Sequence, residues 1–316
     1  MSYSVSVVIP NYNGKQLLRE YLPSVIAALK HANIDYEIII SDDASKDDSV
    51  KFIHDNYPHV KIIRSEINRG FSHTVNQGIQ QAKKTLVLLL NSDVKLKEDY
   101  FQSLWKYFED PNTFGVMGSI WTEDGKRLMD AAKYPVWKGG QLKTTINYKL
   151  KEKNDSGYYT LFLSGANALV NREKLTALHG MDIVYSPYYM EDVDLSVRAW
   201  RKGWKCYYEQ DAICYHKLSE TIANHNTKKQ VRYISKRNKY IFHHIHLIGT
   251  KRLLWNLENM VNIAFRWLAW DWSFYRSYFE YEKLTRKKNT NTYLRSMEEI
   301  TDEILNASKG REKELF

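Results

Sequence analysis

The sequence predicts an α/β protein built on a mostly parallel sheet, and three observations support this prediction. Short apolar runs alternate with helical segments from the start of the chain, as in successive βαβ units. One run, residues 86–90, is apolar at every position, which is typical of a strand that is covered on both faces. Polar or glycine-containing loops follow the runs, and in such a sheet these loops lie at one edge.

Residues 1–95 contain four predicted strands. They are expected at 5–9, 37–40, 60–63 and 85–90. Helices are expected where apolar residues recur every three or four positions, at 17–29, around 50–53 and at 72–82. A further helix is expected to begin near Lys97, because polar residues that can cap a helix precede it.

The part of the chain from residue 96 to residue 218 has a more mixed pattern. Strands are expected at 115–120, 158–163, 166–170, 204–208 and 212–215, and helices at 172–178 and 188–202. The segment 122–156 is polar and rich in lysine and glycine, so we interpret it as a surface flap. After Lys217 the pattern is helical to the end of the chain.

Composition narrows the class of protein. With 316 residues, 43% hydrophobic and 26% charged, the chain is long enough and apolar enough to bury a proper core. Its two cysteines, Cys206 and Cys214, predict neither a disulfide framework nor a zinc site. The first residues do not resemble a signal peptide and no run of 18 apolar residues occurs, so a cytoplasmic location is expected.

The positive charge is concentrated in the C-terminal third. The net charge is +9, and residues 217–295 hold about 16 Lys and Arg against about 5 Asp and Glu. Aromatic and basic residues interleave at 266–272 and 274–279. Two interpretations stay open: helices that pack on the rest of the protein or on a second copy, and a surface that docks on an anionic membrane. No nucleic-acid motif accompanies the charge, so nucleic acid is not an expected partner.

Asp93 closes the run at 85–90 as the last residue of Asn91-Ser92-Asp93. A carboxylate at the end of a rigid strand is well placed to hold a hard cation, and the cation could hold a diphosphate. Alternatively, these residues form a turn that caps the next helix. Asp42 and Asp43 likewise follow a strand, and are interpreted either as acceptors for a nucleobase or ribose or as a capping turn.

Three further places carry candidate residues. Asn68-Arg69-Gly70 is either a plain turn or a close backbone approach to a phosphate. Glu191 and Asp192 open a helix, where acids either complement the helix dipole or supply a general base. Asp194 cannot face the same way as Asp192, since residues two apart on a helix diverge by about 200°, and Arg198 is its expected partner. His216, at the end of a strand, is interpreted as a buried histidine or a metal ligand.

These motifs, taken in order, resemble those of the family 2 glycosyltransferases with the GT-A fold, over roughly residues 4–218. The matching segments are Pro10-Asn11-Tyr12, Ser41-Asp42-Asp43, Asn68-Arg69-Gly70, Asn91-Ser92-Asp93, Glu191-Asp192-Val193-Asp194 and His216. Ser164-Gly165-Ala166 and Gly180-Met181-Asp182 resemble the bacterial rhamnosyltransferase-like branch in particular. No Gly-x-Gly-x-x-Gly follows the first strand, which argues against a dinucleotide-binding dehydrogenase.

The resemblance implies a role for each matching residue. Pro10 and Tyr12 would pack against the nucleotide, Asp42 with Asp43 would accept from a uracil or thymine imide, and Asn68 and Gly70 would lie near the base and phosphates. Asp93 and His216 would hold Mn²⁺ or Mg²⁺ at the diphosphate, and Asp192, with Glu191 beside it, would take the proton from the acceptor. Asn91 stands where the family's DxD motif has its first aspartate, so few direct metal ligands remain.

The resemblance also implies the activity and the domains. The chain would move a sugar, with inversion, from a UDP- or dTDP-sugar to a saccharide or lipid-linked saccharide acceptor, in the synthesis of a cell-surface polysaccharide such as O-antigen or capsule. The alternative is a nucleotide-sugar-binding protein or scaffold that has lost turnover. Residues 1–218 would form the catalytic domain, with a nucleotide-binding half at 1–95 and an acceptor-binding half at 96–218. Residues 219–316 would form a helical region that contacts a membrane surface or another copy.

Overall fold

The central feature of the structure, a computed structural model, is one twisted sheet covered by helices. The structure describes residues 3–145, 148–150, 157–217, 227–286, 294–308 and 313–315. The N-terminal part of the sheet contains β1 (Ser4–Asn11), β2 (Asp35–Asp42), β3 (Lys61–Arg64) and β4 (Leu86–Leu90), joined by the helices α1 (Lys15–His31), α2 (Ser49–Asn56) and α3 (Phe71–Gln81). β1 lies parallel to both β2 and β4, and β2 lies parallel to β3. The predicted βαβ series is therefore confirmed.

The second half of the sheet combines parallel and antiparallel strands. Its strands are β5 (Val94–Leu96), β6 (Thr113–Thr122), β7 (Leu128–Asp130), β11 (Tyr158–Tyr159), β12 (Asn167–Asn171) and β13 (Lys205–His216). Three intervening strands lie outside this sheet: β8 (Pro135–Lys138) pairs with β9 (Gln141–Thr144), and β10 (Tyr148–Leu150) pairs with a strand near the end of the chain. The helices here are α4 (Arg172–Ala177) and α5 (Glu191–Arg201). β12 lies antiparallel between β4 and β6, and β13 runs parallel to β6.

The strand β4 is buried on both faces, as its composition predicts. Leu86, Leu88 and Leu90 belong to the core cluster under α1, whereas Val87 and Leu89 belong to the cluster on the opposite face. Alternate residues of a strand point to opposite faces, so an all-apolar strand supplies both clusters at once. This double burial makes the end of β4 a rigid platform for the polar residues that follow it.

The C-terminal region is mostly helical and packs on the sheet. It contains α6 (Lys228–His246), α7 (Gly249–Phe265), α8 (Trp272–Thr285) and α9 (Met297–Ala307). Apolar side chains of α6 and α9 join the same core cluster as the sheet, among them Ile241, Phe242 and Ile300. The last described segment is a strand, β14 (Lys313–Leu315), that pairs with β10, so the prediction of helix up to the end of the chain is wrong there.

Two other predictions about secondary structure are wrong. The residues after Lys97 form turns and a 3-10 helix, Trp105–Glu109, in place of an α-helix. The predicted strand at 158–163 is a strand only over Tyr158–Tyr159, because Thr160 and Leu161 donate to carbonyls of two different segments, at Cys206 and Lys133. The two strands predicted at 204–208 and 212–215 are one strand, β13, with an irregular register between Glu209 and Ile213.

The segment 122–156 is also not the surface flap that its polarity predicts. Residues 128–144 form β7, β8 and β9, and Ala131, Ala132, Tyr134 and Leu142 are buried in the core. Residues 146, 147 and 151–156 lie outside the described part. A few apolar residues placed at the inward positions are enough to bury a segment whose average composition is polar.

Gly118 offers a test of the packing between β6 and β13. A Cβ atom there would lie 2.1 Å from the carbonyl oxygen of Ala212 and 2.9 Å from the ring of Tyr100, so β13 would have to move. We expect Gly118→Ala to lower the free energy of unfolding by about 2–3 kcal/mol, as overpacking of a core does. Urea denaturation followed by circular dichroism measures this loss.

Gly203→Ala is the matched control for Gly118→Ala. Gly203 has φ +80°, and a Cβ atom added there would meet no atom of the other described residues within 4 Å apart from its chain neighbours, so the cost comes from the left-handed backbone. We expect this control to cost about 1 kcal/mol. Equal losses for the two variants would show that the close approach of Ala212 does not limit the residue at 118.

Candidate active site

A cavity of about 770 Å³ opens at the edge where β1, β2 and β4 end. Ten of the eleven residues singled out from the sequence line it: Pro10, Tyr12, Asp43, Asn68, Gly70, Asn91, Asp93, Glu191, Asp192 and His216. The parallel strands deliver the first group to a common edge, as expected for an open α/β sheet. The remaining three residues come from α5 and from the end of β13.

Asp93 and His216 meet on one side of the cavity. Asp93 immediately precedes β5, and antiparallel pairing of β5 with β13 places Val94 opposite His216. The Oδ1 atom of Asp93 and the Nε2 atom of His216 are 3.0 Å apart, at ion-pair distance but without the alignment of a hydrogen bond. Nε2 of His216 and Oδ1 of Asn91 are buried and have no hydrogen-bond partner among the described residues.

These atoms suit a divalent cation. Carboxylate, amide and imidazole groups are ligands that Mn²⁺ accepts, and two buried atoms that lack a partner are costly unless something binds them. The described ranges contain no cluster of three or more His, Cys, Asp and Glu side chains that could hold a metal. The protein therefore offers a short ligand set, in agreement with the presence of Asn91 in place of an acid.

Glu191 and Asp192 line another part of the cavity, at the first turn of α5. Asp192 accepts hydrogen bonds from the backbone N–H groups of Val193 (2.8 Å) and Gly165 (3.4 Å). Burial raises the pKa of Asp192 to about 6, and the charge of Asp130 adds to this. Burial also raises the pKa of Glu191, as does the charge of Asp192 beside it. A carboxyl group with a pKa near neutrality can both accept and release a proton.

Asp194 points away from the cavity, as the helical geometry predicts. Its carboxylate contacts Nε of Arg198 at 2.7 Å, Nε2 of His246 at 2.8 Å and the hydroxyl of Tyr185 at 3.1 Å. Burial alone would raise the pKa of Asp194, but Arg198 and His246 hold it well below its usual range. The predicted pairing with Arg198 is confirmed, and Asp194 is a structural anchor of α5.

The structure places the side chain of Asp42, which is expected to contact the nucleobase, among other protein groups and outside the lining of the cavity. This side chain is fully buried. One carboxylate oxygen accepts from the Asn11 side chain at 2.8 Å, and the other accepts from the Ser45 backbone at 3.0 Å. Asp43, whose carboxylate accepts from the backbone N–H groups of Arg69 and Gly70, both at 2.9 Å, is the acid that reaches the cavity.

Gly70 lines the cavity, but its missing side chain makes room for protein and not for a phosphate. Its φ is +90°, and a Cβ atom would lie 2.9 Å from Cα of Pro187. The carbonyl of Pro187 accepts from the backbone of Phe71 at 2.9 Å, so this contact joins α3 to the loop before α5. The sequence pattern predicts that this glycine lies at the cavity, but not that Pro187 fills the space beside it.

Several lining residues were not predicted from the sequence. They include Asp130, Tyr188, Tyr189 and Gln230. Asp130 lies in the segment interpreted as a flap, where its Oδ1 atom contacts Nζ of Lys133 at 3.0 Å. Gln230 belongs to α6, far along the chain from the other residues. No local pattern marks any of them, although the aromatic pair Tyr188-Tyr189 just before the acidic helix is a signal that could have been used.

Comparison with known proteins agrees with this geometry. The sequence profile described as "Glycosyl transferase family 2" matches residues 6–178, more than half of the chain. The chain belongs to glycosyl transferase family 2. The narrower assignment to a rhamnosyltransferase-like branch stays a prediction.

One similar family 2 protein is the poly-beta-1,6-N-acetyl-D-glucosamine synthase of Staphylococcus epidermidis. It is 25% identical over 233 residues, which are 69% of this chain and 51% of that protein, so the chain spans about half the length of that relative. Two solved structures share the GT-A fold. GalNAc-T7 with UDP, GalNAc and Mn²⁺ matches 96% of this chain and 57% of its own at 17% identity, with a TM-score of 0.63.

The second structure is the mannosyltransferase PcManGT from Pyrobaculum calidifontis in complex with GDP-Man and Mn²⁺. It matches 92% of this chain and 77% of its own at 15% identity, with a TM-score of 0.56. At such identities the likeness shows the fold alone. The predicted fold class, a GT-A fold with C-terminal helices, is confirmed for this family 2 chain.

The C-terminal helices hold the acidic helix of this family 2 chain in place. Asn238 of α6 is fully buried, and its side-chain NH₂ group lies 2.6, 2.9 and 2.8 Å from the carbonyl oxygens of Tyr185, Tyr188 and Tyr189. Tyr189 and Met190 have φ values of +75° and +79°, a conformation that costs free energy in residues other than glycine. Asn238 therefore stabilises the strained turn from which Glu191 and Asp192 project.

Asn238→Ala tests how much the Asn238 side chain contributes to stability. Three buried carbonyl groups would lose their donor, so we expect the free energy of unfolding to fall by about 2–3 kcal/mol. Asn262→Ala is the matched control, because Asn262 is partly exposed, its side-chain nitrogen donates to the carbonyl of Glu258 and its oxygen accepts from Arg266. We expect that control to change stability by about 0.5 kcal/mol. Urea titrations that gave similar losses for both variants would rule out a special role for Asn238.

Proposed function

We propose that this family 2 chain is an inverting transferase that moves a sugar from a UDP- or dTDP-sugar to an acceptor hydroxyl. The observation that carries the proposal is the meeting of Asp93 and His216 with Glu191 and Asp192 around one cavity. The volume, about 770 Å³, is in the range of sites for cofactors and nucleotides. One group of residues suits the diphosphate, and the other suits the proton that leaves the acceptor.

The donor would lie along the ends of β1, β2 and β4. Tyr12 and Asn68 line the part of the cavity near Asp43, which replaces Asp42 in our proposal as the acid at the nucleobase. Two backbone N–H groups fix the Asp43 carboxylate, so its remaining acceptor capacity has a defined direction. A fixed acceptor discriminates between bases, because a base without a matching donor would leave it unpaired.

The diphosphate would lie beside Asn91, Asp93 and His216. These residues fit a divalent cation, Mn²⁺ or Mg²⁺, since two of them present buried atoms that have no hydrogen-bond partner in the described part of the chain. Bound there, the cation would neutralise the charge that gathers on the departing diphosphate. Mn²⁺ in the two structural neighbours supports this part of the proposal.

Asp192 is the proposed general base. Its carboxylate would accept the acceptor's hydroxyl proton while that oxygen forms a bond to the anomeric carbon of the donor. The bond from this carbon to the diphosphate oxygen breaks at the same time, and its electron pair leaves with the nucleoside diphosphate. Attack opposite the leaving group inverts the anomeric centre. Two backbone hydrogen bonds orient the Asp192 carboxylate for this step.

The acceptor is proposed to be a saccharide or a lipid-linked saccharide in the synthesis of a cell-surface polysaccharide, such as O-antigen or capsule. The similarity to a poly-beta-1,6-N-acetyl-D-glucosamine synthase supports this class of product. The proposal includes action at the inner face of a membrane. The contact is proposed to be peripheral. Within the described ranges, no helix is long and apolar enough to cross a membrane.

One observation favours a second candidate function. Asn91 occupies the position of an acidic metal ligand, and the remaining ligand set is short. A chain with weak metal binding could bind a nucleotide sugar without turning it over, as a scaffold does. Release of nucleoside diphosphate from a panel of UDP-, dTDP- and GDP-sugars, with and without Mn²⁺, separates the two functions.

Replacement of the base tests the proposed mechanism directly. Asp192→Asn should lower kcat by about 10²–10⁴-fold, the usual contribution of a general base, and leave the Kd for the nucleotide sugar unchanged. In the wild type, kcat/KM should fall as the pH drops below about 6, since the raised pKa of Asp192 leaves it protonated there. Initial rates across pH and calorimetric titration measure both quantities.

Asp124→Asn is the control for the charge change at residue 192, because Asp124 is exposed and does not line the cavity. It should retain the wild-type rate and pH profile. Near-normal turnover by Asp192→Asn would show that Asp192 is not the general base. The same conclusion would follow if the residual activity of this variant still fell below pH 6 as the wild-type activity does.

The metal site is tested by binding and not by turnover. Asp93→Ala should abolish the extra thermal stabilisation that Mn²⁺ adds to UDP, about 2.7 kcal/mol when the ligand is at 100 times its Kd. Stabilisation by UDP alone should persist. Glu98→Ala, an exposed acid outside the cavity, is the control. Full Mn²⁺-dependent stabilisation of Asp93→Ala would refute its role as a ligand.

A further inference from the structure

The C-terminal helices expose an unusually large number of apolar side chains. Of the 17 large hydrophobic residues that are exposed in the described ranges, 13 lie between Ile248 and Leu284. Scattered single exposed residues are normal, but a concentration of this kind marks a surface that contacts something. We name the surface formed by α7, α8 and the turn between them the apolar face.

The α7 part of the apolar face is a stripe without charge. Leu253, Leu257, Met260 and Val261 recur at helical spacing and are between 49% and 64% exposed. The opposite side of α7 is buried through Trp255 and Asn259. Between Leu253 and Phe265 the sequence holds one charged residue, Glu258, whose carboxylate accepts from the backbone of Gly140 at 2.9 Å.

Three tryptophans extend the stripe through the turn to α8. Trp267, Trp270 and Trp272 are 57%, 79% and 64% exposed. The hydroxyl of Tyr275 donates to the carbonyl of Ile263 at 2.7 Å, and this bond joins α8 to α7. The two helices therefore present one continuous face. Indole rings prefer the boundary between water and hydrocarbon, because one edge of the ring is polar.

The exposed face of α8 mixes aromatic and cationic residues. Trp272, Arg276, Phe279, Lys283 and Arg286 follow one another at intervals of four and three residues, and all are exposed. Exposed cations continue on α6 at Lys228, Lys229, Arg232 and Lys239. Among the acids of α6, α7 and α8, Glu282 is exposed, whereas Glu258, Asp271 and Glu280 are partly buried and bonded within the protein.

We propose that the apolar face docks on an anionic lipid bilayer, with its tryptophans and α7 stripe in the interface and its cations against the headgroups. The positive charge around the apolar face favours an anionic bilayer over a second copy of the chain as its partner. A two-fold contact would set the same cations opposite one another, and like charges across an interface are unfavourable. An anionic bilayer offers both the apolar layer and the opposite charge.

The cavity and the cations meet at the start of α6. Gln230 lines the cavity, and the exposed Lys228, Lys229 and Arg232 lie beside it in the same part of the helix. Docking through these cations would bring the cavity mouth close to the headgroups, where a lipid-linked acceptor would be found; this last step alone rests on the proposed transferase function.

Co-sedimentation of the full chain with lipid vesicles tests the proposal. The wild type should bind vesicles of phosphatidylglycerol and phosphatidylcholine, and bind pure phosphatidylcholine more weakly. The triple variant Leu253→Gln, Met260→Gln, Trp270→Asn should bind both at least about tenfold more weakly, because it loses three large apolar contacts. Asn suits the left-handed backbone at 270, where φ is +52°, and Gln preserves the helix at the other two positions.

Two further variants test the contribution of the cations and the specificity of the apolar face. The variant Lys229→Gln, Lys283→Gln, Arg286→Gln should lose about fivefold in affinity for the anionic vesicles per charge and keep its affinity for the neutral ones. The matched control is Ile67→Gln with Ile183→Gln, two residues that are each 59% exposed but lie outside the C-terminal helices. This control should bind like the wild type.

The outcomes separate the docking proposal from the proposed function. Wild-type protein that stays in the supernatant, or a triple variant that binds normally, overturns the docking surface. So does a concentration-dependent dimer in sedimentation velocity that the triple variant abolishes, since a second copy then covers the face. Thermal stabilisation by UDP and Mn²⁺, measured on the same samples, reports on the donor site independently of either result.

Discussion

The site depends on the antiparallel pairing of β5 with β13. The strand β4 ends in Asn91, Ser92 and Asp93, and β5 starts directly after them. Because β13 pairs with this short strand, His216 returns to within 3.0 Å of Asp93 from more than a hundred residues away. Both side chains are largely buried. A buried acid and a buried imidazole are costly unless they are paired, and this is the pair to which we assign the divalent cation in the proposed function.

The two aspartates of α5 show how one helix separates a carboxylate that lines the cavity from one that anchors the helix. Asp194 faces the interior, where Arg198 and His246 keep it ionised. Asp192 lines the cavity without an ion-pair partner among the described residues, and burial raises its pKa. Divergent pKa values of neighbouring acids are typical of active sites. His246 and Asn238 both belong to α6, so the C-terminal region positions the acids at the start of α5.

Much of the fold could be predicted from the pattern of residues. Apolar strands at β1, β2 and β4 and polar ends at Asp93 and Asp43 follow from local composition and from the geometry of parallel sheets. The segment 122–156 could not be predicted, since its few inward residues are hidden in a polar average. The different surroundings of Asp42 and Asp43 could not be predicted for a related reason. Of two adjacent acids at a strand end, one faces Asn11 and Ser45 and the other faces the cavity, and only long-range packing distinguishes them.

Local sequence was sufficient for the strand and helix series of the first half, for the helix that begins at Glu191, and for the opposite directions of Asp192 and Asp194, because periodicity acts over a few residues. Long-range packing settled the rest. It brought Asp130 and Gln230 to the cavity, filled the space beside Gly70 with Pro187, and left the apolar side of α7 uncovered. These outcomes depend on contacts between residues far apart in the chain, for which periodicity carries no information.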